Sequence, residues 1–231
     1  GGDIEIGIAQ RQATDAELAA MRQAGSVSET VRLRAMAIGD DSLLAELKAI
    51  DAAYPHYGSL RLADGKIARA PAKGDIYIGP TLSDRLGIQK GETVRFGEAT
   101  FRVAGIIADE PDRLGEGFTL GPVAIINMAS LPDTRLIQPG SMYESKYRIK
   151  LAPQEDAAAV AKALEAQFPS AGWDITDRSN GAPGTRRFIE RMGQFLTLVG
   201  LAALVIAGIG VGNIFGSFLT GALRNPSAAA S

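Results

Sequence analysis

Hydrophobic and polar residues alternate along several stretches near the start of the chain. Residues 3–9 place three isoleucines on one side and acidic residues on the other, and a period of two predicts a half-buried strand. Residues 27–38 alternate in the same way and predict a second strand. Residues 43–50 fit either a strand or a helix, and we favour the strand. Between the first two strands, the capping box Thr14–Glu17 predicts a helix that Gly25 ends.

The pattern changes between residues 63 and 142, where short apolar segments are separated by glycines. A short helix is predicted at residues 80–86, after a Gly-Pro pair. Residues 94–96 and 100–107 predict a hairpin, and residues 123–128 predict a further strand. Short apolar segments separated by glycines are typical of a small β-rich module.

The earlier pattern returns after residue 142. Residues 146–152 alternate as a strand, residues 153–168 have the apolar stripe of an amphipathic helix, and residues 172–177 predict a last strand. We therefore predict an α+β fold in which residues 1–62 and 143–182 form one α/β layer. The β-rich module, residues 63–142, is inserted into this layer as a subdomain.

The C-terminal residues follow neither period. Residues 193–223 contain no Asp, Glu, Lys or Arg, and residues 195–219 are long enough to cross about 30 Å of hydrocarbon. A buried helix of a soluble protein is the alternative, but such helices are usually shorter and keep a polar edge. We predict a juxtamembrane and transmembrane helix at residues 183–223. Residues 224–231 are expected to be a short tail, which either a truncation or an artificially appended sequence would explain.

Glycines recur inside the predicted membrane helix. Gly208, Gly212 and Gly216 are spaced by four residues and share one helix face. Small residues at this spacing allow neighbouring membrane helices to approach closely, which favours a packing face. The other interpretation is that glycine is simply common in membrane helices.

Four arginines are assigned to the membrane boundaries. Arg186, Arg187 and Arg191 precede the uncharged stretch, and only Arg224 follows it. Taken alone, the positive-inside rule places the large N-terminal portion in the cytoplasm. That count has little weight, because any basic residues beyond this chain are absent from it.

Composition argues against most kinds of active site. The net charge of −2 over 231 residues offers no basic surplus for nucleic acid. The chain has one histidine, His56, and no cysteine, which leaves no basis for a Ser-His-Asp triad or a zinc site. No Walker loop is present, so we expect neither ATP hydrolysis nor a bound cofactor. The chain begins Gly1-Gly2-Asp3 without a signal peptide, and we expect it to be a piece of a longer protein or a processed product.

Two loops carry exposed apolar candidates for contact with a partner or an apolar ligand. The first loop contains Phe118 and Leu120 among glycines, and the second contains Leu136, Ile137 and Met142. The alternative is that these side chains anchor their own loops to the core.

Four segments together resemble a known family. Residues 82–107, LSDRLGIQKGETVRFGEATFRVAGII, are similar to the periplasmic core domain of MacB-like and FtsX-like ABC transporter permeases. Residues 46–58, 117–141 and 186–213 are similar to the YbbP-like branch of those permeases. After Asn213 the chain departs from the family pattern, and the first membrane helix of the family is missing.

The resemblance implies a porter-like α/β-layer subdomain with an inserted sabre-like β subdomain. It also implies a bacterial inner-membrane protein whose large domain is periplasmic, against the arginine count. In such permeases a separate cytoplasmic subunit binds and hydrolyses ATP, and membrane helices pass the motion outward by mechanotransmission. Lipid-like or hydrophobic cargo and a periplasmic lipid esterase are further expectations of the YbbP-like branch.

Two functions of different classes follow from these observations. The leading hypothesis is a non-enzymatic permease fragment of an ABC transporter, in contact with the lipid bilayer and an ATP-binding subunit. The alternative is a single-pass membrane-anchored binding or adaptor domain without an ABC partner. A membrane-tethered hydrolase is the weakest reading, because it would depend on His56.

Overall fold

The chain divides into two compact units, residues 1–181 and residues 182–231. The computed structural model describes residues 2–111, 121–177, 200–201, 203–204, 207–221 and 224.

The described part of the first unit contains three α-helices, and they are α1 (Asp15–Ala24), α2 (Pro80–Leu86) and α3 (Ala157–Gln167). It also contains eleven β-strands, which are β1 (Ile4–Ala9), β2 (Ser26–Ile38), β3 (Ser42–Ile50), β4 (Leu60–Leu62), β5 (Ile67–Ala68), β6 (Asp75–Ile78), β7 (Thr93–Phe96), β8 (Ala99–Asp109), β9 (Val123–Asn127), β10 (Tyr143–Lys150) and β11 (Asp174–Asp177). The mixed α/β class predicted from the alternation is therefore confirmed.

Helix α1 begins where the capping box predicted. The Thr14 side chain accepts from the Glu17 backbone N–H, and the Glu17 side chain accepts from the Thr14 backbone N–H. Helix α3 begins four residues later than predicted, because Asp156 caps it by accepting from the Ala158 N–H. Pro153 therefore lies before the helix rather than in its first turn.

The first layer is an antiparallel sheet in the order β11-β1-β10-β2-β3, with α1 and α3 packed on one face. The isoleucines of β1 lie opposite Ile149, Tyr147 and Ser145 of β10. They face the helices and are almost completely buried with Met21 and Leu164. Alternation in β1 thus arises because only one of its faces meets the helices.

Beyond this layer the strand pairing closes on itself. Strand β2 pairs with β3, and the ring continues through β9, β6, β8 and β7 back to β2. The pairs β3–β9 and β6–β8 are parallel, and the others are antiparallel. The inward side chains of this six-stranded barrel form the largest buried cluster, which includes Leu33, Leu47, Phe96, Phe101 and Ile126.

Two strands belong to both parts of the unit. The 13 residues of β2 run from the first layer into the barrel, and β3 accompanies them as a hairpin partner. Side chains of residues 26–50 therefore fill the same core as side chains of residues 76–103. The predicted boundaries of the inserted subdomain at residues 63 and 142 stay a prediction.

The outside of the barrel is partly covered by a third core. Tyr54, Leu60 and Leu62 pack there against Ile107 and Ile125. Strand β4, which pairs with β8, supplies the two leucines. This cover protects the outer face of β3, β9 and β8 but leaves part of β2 and β3 open.

The second unit is described over part of its length. Residues 207–221 are helical and exposed, and the positions of Gly208, Gly212 and Gly216 have open space around them. No helix among the described residues is both long enough and apolar enough to cross a membrane. Within the predicted span at residues 195–219, residues 195–199, 202 and 205–206 lie outside the described residues. Arg186, Arg187 and Arg191 lie outside them as well.

Candidate functional site

A groove lies where strand β10 ends beside β2 and β2 continues with β3 as a partner on one side only. Tyr143, the first residue of β10, pairs with Leu33, and β7 joins β2 only at Ala37. Within the described residues, the edge of β2 at residues 34–36 therefore pairs with no strand on that side. We call the depression at this edge the β2 groove. It has a volume of about 480 Å³ and is lined by Ala9, Gln10, Arg32, Leu33, Arg34, Glu46, Met142, Tyr143 and Glu144.

The β2 groove adjoins exposed apolar side chains. Met142 is 79% exposed at one wall of the groove. Next to it on the outer face of the hairpin, Met36 and Leu44 lie opposite each other and are 42% and 49% exposed. Large apolar residues grouped in this way mark surfaces that meet a partner or a ligand.

Charged side chains in the β2 groove are unequally paired. Arg32 lies 3.4 Å from Glu46, and both side chains are mostly buried. Glu144 lies 3.8 Å from Lys146. Among the described residues, no hydrogen bond or ion pair engages the exposed Arg34. Arg34 nevertheless lies directly opposite Glu46 in the β2–β3 register, and the groove lining holds two arginines and two glutamates.

A ladder of ion pairs stabilises the strands that end at the groove. Glu5 of β1 accepts a hydrogen bond from Lys146 at 3.1 Å and forms an ion pair with Arg148 at 2.9 Å, and both partners lie on β10. Arg148 is buried and also donates to the Thr30 hydroxyl of β2 at 3.1 Å. Side chains from three neighbouring strands are thereby joined, which holds their register.

A second polar cluster is buried below the third core. Lys48 of β3 is fully buried, donates to Glu110, and donates to the Tyr54 hydroxyl at 3.0 Å. Such a pair keeps two charges out of water only because each satisfies the other. This pair is not predicted from the sequence, because a lysine between the apolar residues Leu47 and Ala49 has the alternation of an ordinary exposed strand position.

The predicted contact residues fall into three groups. Met142 lies in the β2 groove. Leu136 and Ile137 are half-buried and pack against the barrel core, so they also anchor their own loop. Phe118 and Leu120 lie outside the described residues.

His56 performs a structural task in this arrangement. Its ring Nε2 lies 3.1 Å from the Arg148 carbonyl oxygen, and the neighbouring Tyr57 hydroxyl donates to Asp3 at 3.0 Å. These contacts hold the loop after β3 against the first layer. Among the described residues, no three His, Cys, Asp or Glu side chains are grouped to hold a metal ion.

Two comparisons at the sequence level cover different lengths of the chain. The uncharacterized ABC transporter permease YbbP of Escherichia coli K12 is 33% identical over 170 residues, which are 73% of this chain and 20% of that protein. The chain thus spans about a fifth of this relative's length. ATP synthase subunit c of Cereibacter sphaeroides is 58% identical over 43 residues, which are 18% of this chain and 54% of that subunit. This shorter match is too small a share of the chain to show its family.

A solved structure and a family model agree with the first comparison. The periplasmic region of MacB from Actinobacillus actinomycetemcomitans superimposes with a TM-score of 0.53 and 14% identity, covering 81% of this chain and 92% of that one. The likeness shows that the two share a fold. A model described as the MacB-like periplasmic core domain matches residues 2–167. This chain belongs to the MacB-like periplasmic core domain family of ABC transporter permeases.

Proposed function

We propose that the chain is the periplasmic portion, with an adjoining membrane helix, of an ABC transporter permease subunit in a bacterial inner membrane. The observation that carries this proposal is the family match over residues 2–167, together with the YbbP permease as a relative. In this role the chain performs no chemistry of its own. A separate cytoplasmic subunit binds and hydrolyses ATP.

The task of the periplasmic portion is mechanical. Residues 1–181 form one compact unit, in which β2 and β3 contribute to both the first layer and the barrel. A displacement applied at one part of such a unit reaches the other through strands and packed side chains. We propose that the adjoining helix supplies this displacement and that the unit passes it to cargo or to a periplasmic partner.

The cargo is proposed to be lipid-like or hydrophobic, and a periplasmic lipid esterase is proposed as a partner. These two proposals extend the family resemblance. The exposed apolar side chains beside the β2 groove support a surface for apolar contacts.

Copurification tests the permease assignment. A tagged full-length permease is extracted from membranes in a mild detergent, and the eluate is examined for a nucleotide-binding subunit and for ATPase activity. We expect a stoichiometric ATP-binding subunit whose activity is vanadate-sensitive. A permease that is well expressed but elutes alone would favour the single-pass adaptor instead.

A helix-breaking substitution tests the mechanical coupling. Proline inside a helix removes a hydrogen bond and costs about 3 kcal/mol. Leu196→Pro in the full-length complex is therefore expected to separate ATP turnover from transport while the periplasmic unit stays folded. Leu196→Ala is the matched control. Normal transport by the proline variant at normal expression would refute the coupling role.

A further inference from the structure

We infer that residues 58–70, which contain β4 and β5, form a strap that lifts from the outside of the barrel while both of its ends stay bonded. The inference deepens the proposed function by naming a moving part of the periplasmic unit. It rests on that function only for the source of the displacement. Three features support it, and they are the bonds at the two ends of the strap, the few contacts along its middle and the position of Leu62.

The two ends of the strap are bonded to different parts of the unit. Just before the strap, the Tyr57 hydroxyl donates to Asp3, the residue that precedes β1 of the first layer, at 3.0 Å. Just after it, the Pro71 carbonyl oxygen accepts from the Asn127 side chain at 2.8 Å. Asn127 is the last residue of β9 in the barrel. Because the two bonds lie on different parts, a displacement of the first layer relative to the barrel pulls on the strap between them.

Few contacts hold the strap between its ends. Among the described residues, β5 pairs only with β4, which belongs to the strap itself. Strand β4 pairs with β8 at two positions, Arg61 with Asp109 and Leu62 with Ile107, and the register shifts between them. Residues 63–67 are all exposed. Segments with few buried contacts and exposed backbone hydrogen bonds open before the rest of a domain, so the strap is expected to open first.

Leu62 occupies a depression that a glycine creates on β8. A Cβ added at Gly105 would lie 2.8 Å from Cδ1 of Leu62, and the three nearest atoms all belong to that leucine. A larger residue at position 105 would therefore displace Leu62. Ile107 and Ile125 are buried in the same third core, on β8 and β9. Lifting the strap consequently uncovers an apolar strip along these two strands.

Hydrogen exchange measured by mass spectrometry tests the strap on the full chain in detergent micelles. The Ala63 N–H donates to the Ile106 carbonyl oxygen at 2.8 Å, so its exchange reports the contact between strap and barrel. We expect peptides of the strap to exchange at least about 100-fold faster than peptides of β9. Their rate should not change in dilute urea, because a local opening exposes little surface.

A substitution under the strap tests the position of Leu62. Gly105→Val is expected to speed exchange of the strap about tenfold and to leave β9 unchanged, because the new side chain takes the place of Leu62. Ala108→Val adds similar volume at an exposed position of β8 and is the matched control.

A reversible crosslink tests the same opening without altering the core. The chain has no cysteine, so Arg61→Cys combined with Asp109→Cys offers one disulfide between directly opposite positions of β4 and β8. Oxidation is expected to slow exchange of the strap at least about tenfold, and a reductant should reverse this. Peptides of β9 should exchange equally in both forms.

The intact transporter tests whether the strap responds to displacement. In the complex copurified with its ATP-binding subunit, we expect exchange of the strap to differ about fivefold between the nucleotide-free and the vanadate-trapped states. Peptides of β9 serve as the internal control and should not differ. The bonds at Tyr57 and Pro71 predict this response, because they fix the strap to both moving parts.

Three results would overturn the inference. The first is equal exchange of the strap and β9, with the same dependence on urea. The second is exchange of the strap that neither Gly105→Val nor the disulfide changes. The third is a strap that opens in the isolated chain but exchanges equally in both nucleotide states. A permease that elutes without an ATP-binding subunit would instead refute the proposed function, and the exchange of the isolated chain is measured independently of that outcome.

Discussion

The Arg11–Glu17 pair offers a quantitative test of what stabilises the first layer. The Glu17 carboxylate accepts from both terminal nitrogens of Arg11 at 2.7 Å and from the Thr14 N–H at 2.7 Å. Arg11 also donates to the Ala171 carbonyl oxygen at 2.6 Å, so the pair joins the start of α1 to the loop after α3. Glu17→Gln keeps the shape of the side chain and removes its charge. We expect this variant to weaken the attachment of both the start of α1 and the loop after α3.

The size of the effect follows from the acid–base linkage of Glu17. Hydrogen bonding from Arg11, more than any other cause, lowers the pKa of Glu17 from 4.5 to about 2. Each pKa unit corresponds to about 1.4 kcal/mol, which gives an upper value of about 3.4 kcal/mol. Since the Arg11 side chain is 36% exposed, screening by solvent reduces the expected loss to about 2–3 kcal/mol.

The pH dependence of this loss distinguishes an effect of the Glu17 charge from an effect of its side-chain shape. A carboxylate with a lowered pKa in the folded state stabilises above its unfolded pKa, and this stabilisation is lost as pH falls toward the folded value. The difference between Glu17→Gln and the unaltered chain should therefore shrink from about 2–3 kcal/mol at pH 7 to about 1 kcal/mol at pH 3.

Trp173 provides the assay. It is the single tryptophan of the chain, and its ring centroid lies 5.2 Å from that of Phe168, in the region to which Arg11 is bonded. Urea unfolding followed by its fluorescence gives the free energy of unfolding at each pH. Glu165→Gln, an exposed glutamate on α3, is the control and should change little. A loss from Glu17→Gln that stays constant from pH 7 to pH 3 would refute the role of the charge.

Three further predictions use the same unfolding measurement. Lys48→Ala is expected to lower the free energy of unfolding by about 3–5 kcal/mol, because it leaves Glu110 charged and buried. The double variant Lys48→Met with Glu110→Leu should recover most of that loss. A single variant that is as stable as the double variant would contradict this expectation. Gly97→Ala should lower the free energy of unfolding more than Gly91→Ala. Both glycines have a positive φ, but an added Cβ meets a carbonyl oxygen only at Gly97. Equal losses for the two variants would be evidence against that obstruction. Burial raises the pKa of Glu29 in the folded state above its ordinary value of 4.5. The stability that protonated Glu29 contributes is therefore lost as the pH rises from 4.5 through the folded-state pKa. Glu29→Gln should flatten this part of the stability–pH curve, and an unchanged slope would argue against the raised pKa.

Local patterns in the sequence predicted most elements of residues 1–177, although β4, β5 and β6 were not predicted. Alternation predicted β1 and β2 because each has one buried and one exposed face. The Thr14–Glu17 capping box predicted the start of α1, since its two hydrogen bonds are made within four residues. The hairpin of β7 and β8 was also readable from its turn. The family resemblance, carried by the order of four segments, is confirmed as well.

Only the tertiary structure decided how these elements share their cores. Closure of the barrel requires Ala37 of β2 to pair with Phe96, a contact between residues far apart in sequence that no local period encodes. The β2 groove exists because β10 and β7 reach β2 at different points, and so it depends on the register of three strands. Lys48 reads from the sequence as an exposed residue, and it becomes a buried one only because Glu110 and Tyr54 meet it there. Elements follow from interactions between near neighbours, whereas cores and grooves follow from contacts that exist only after the chain has folded.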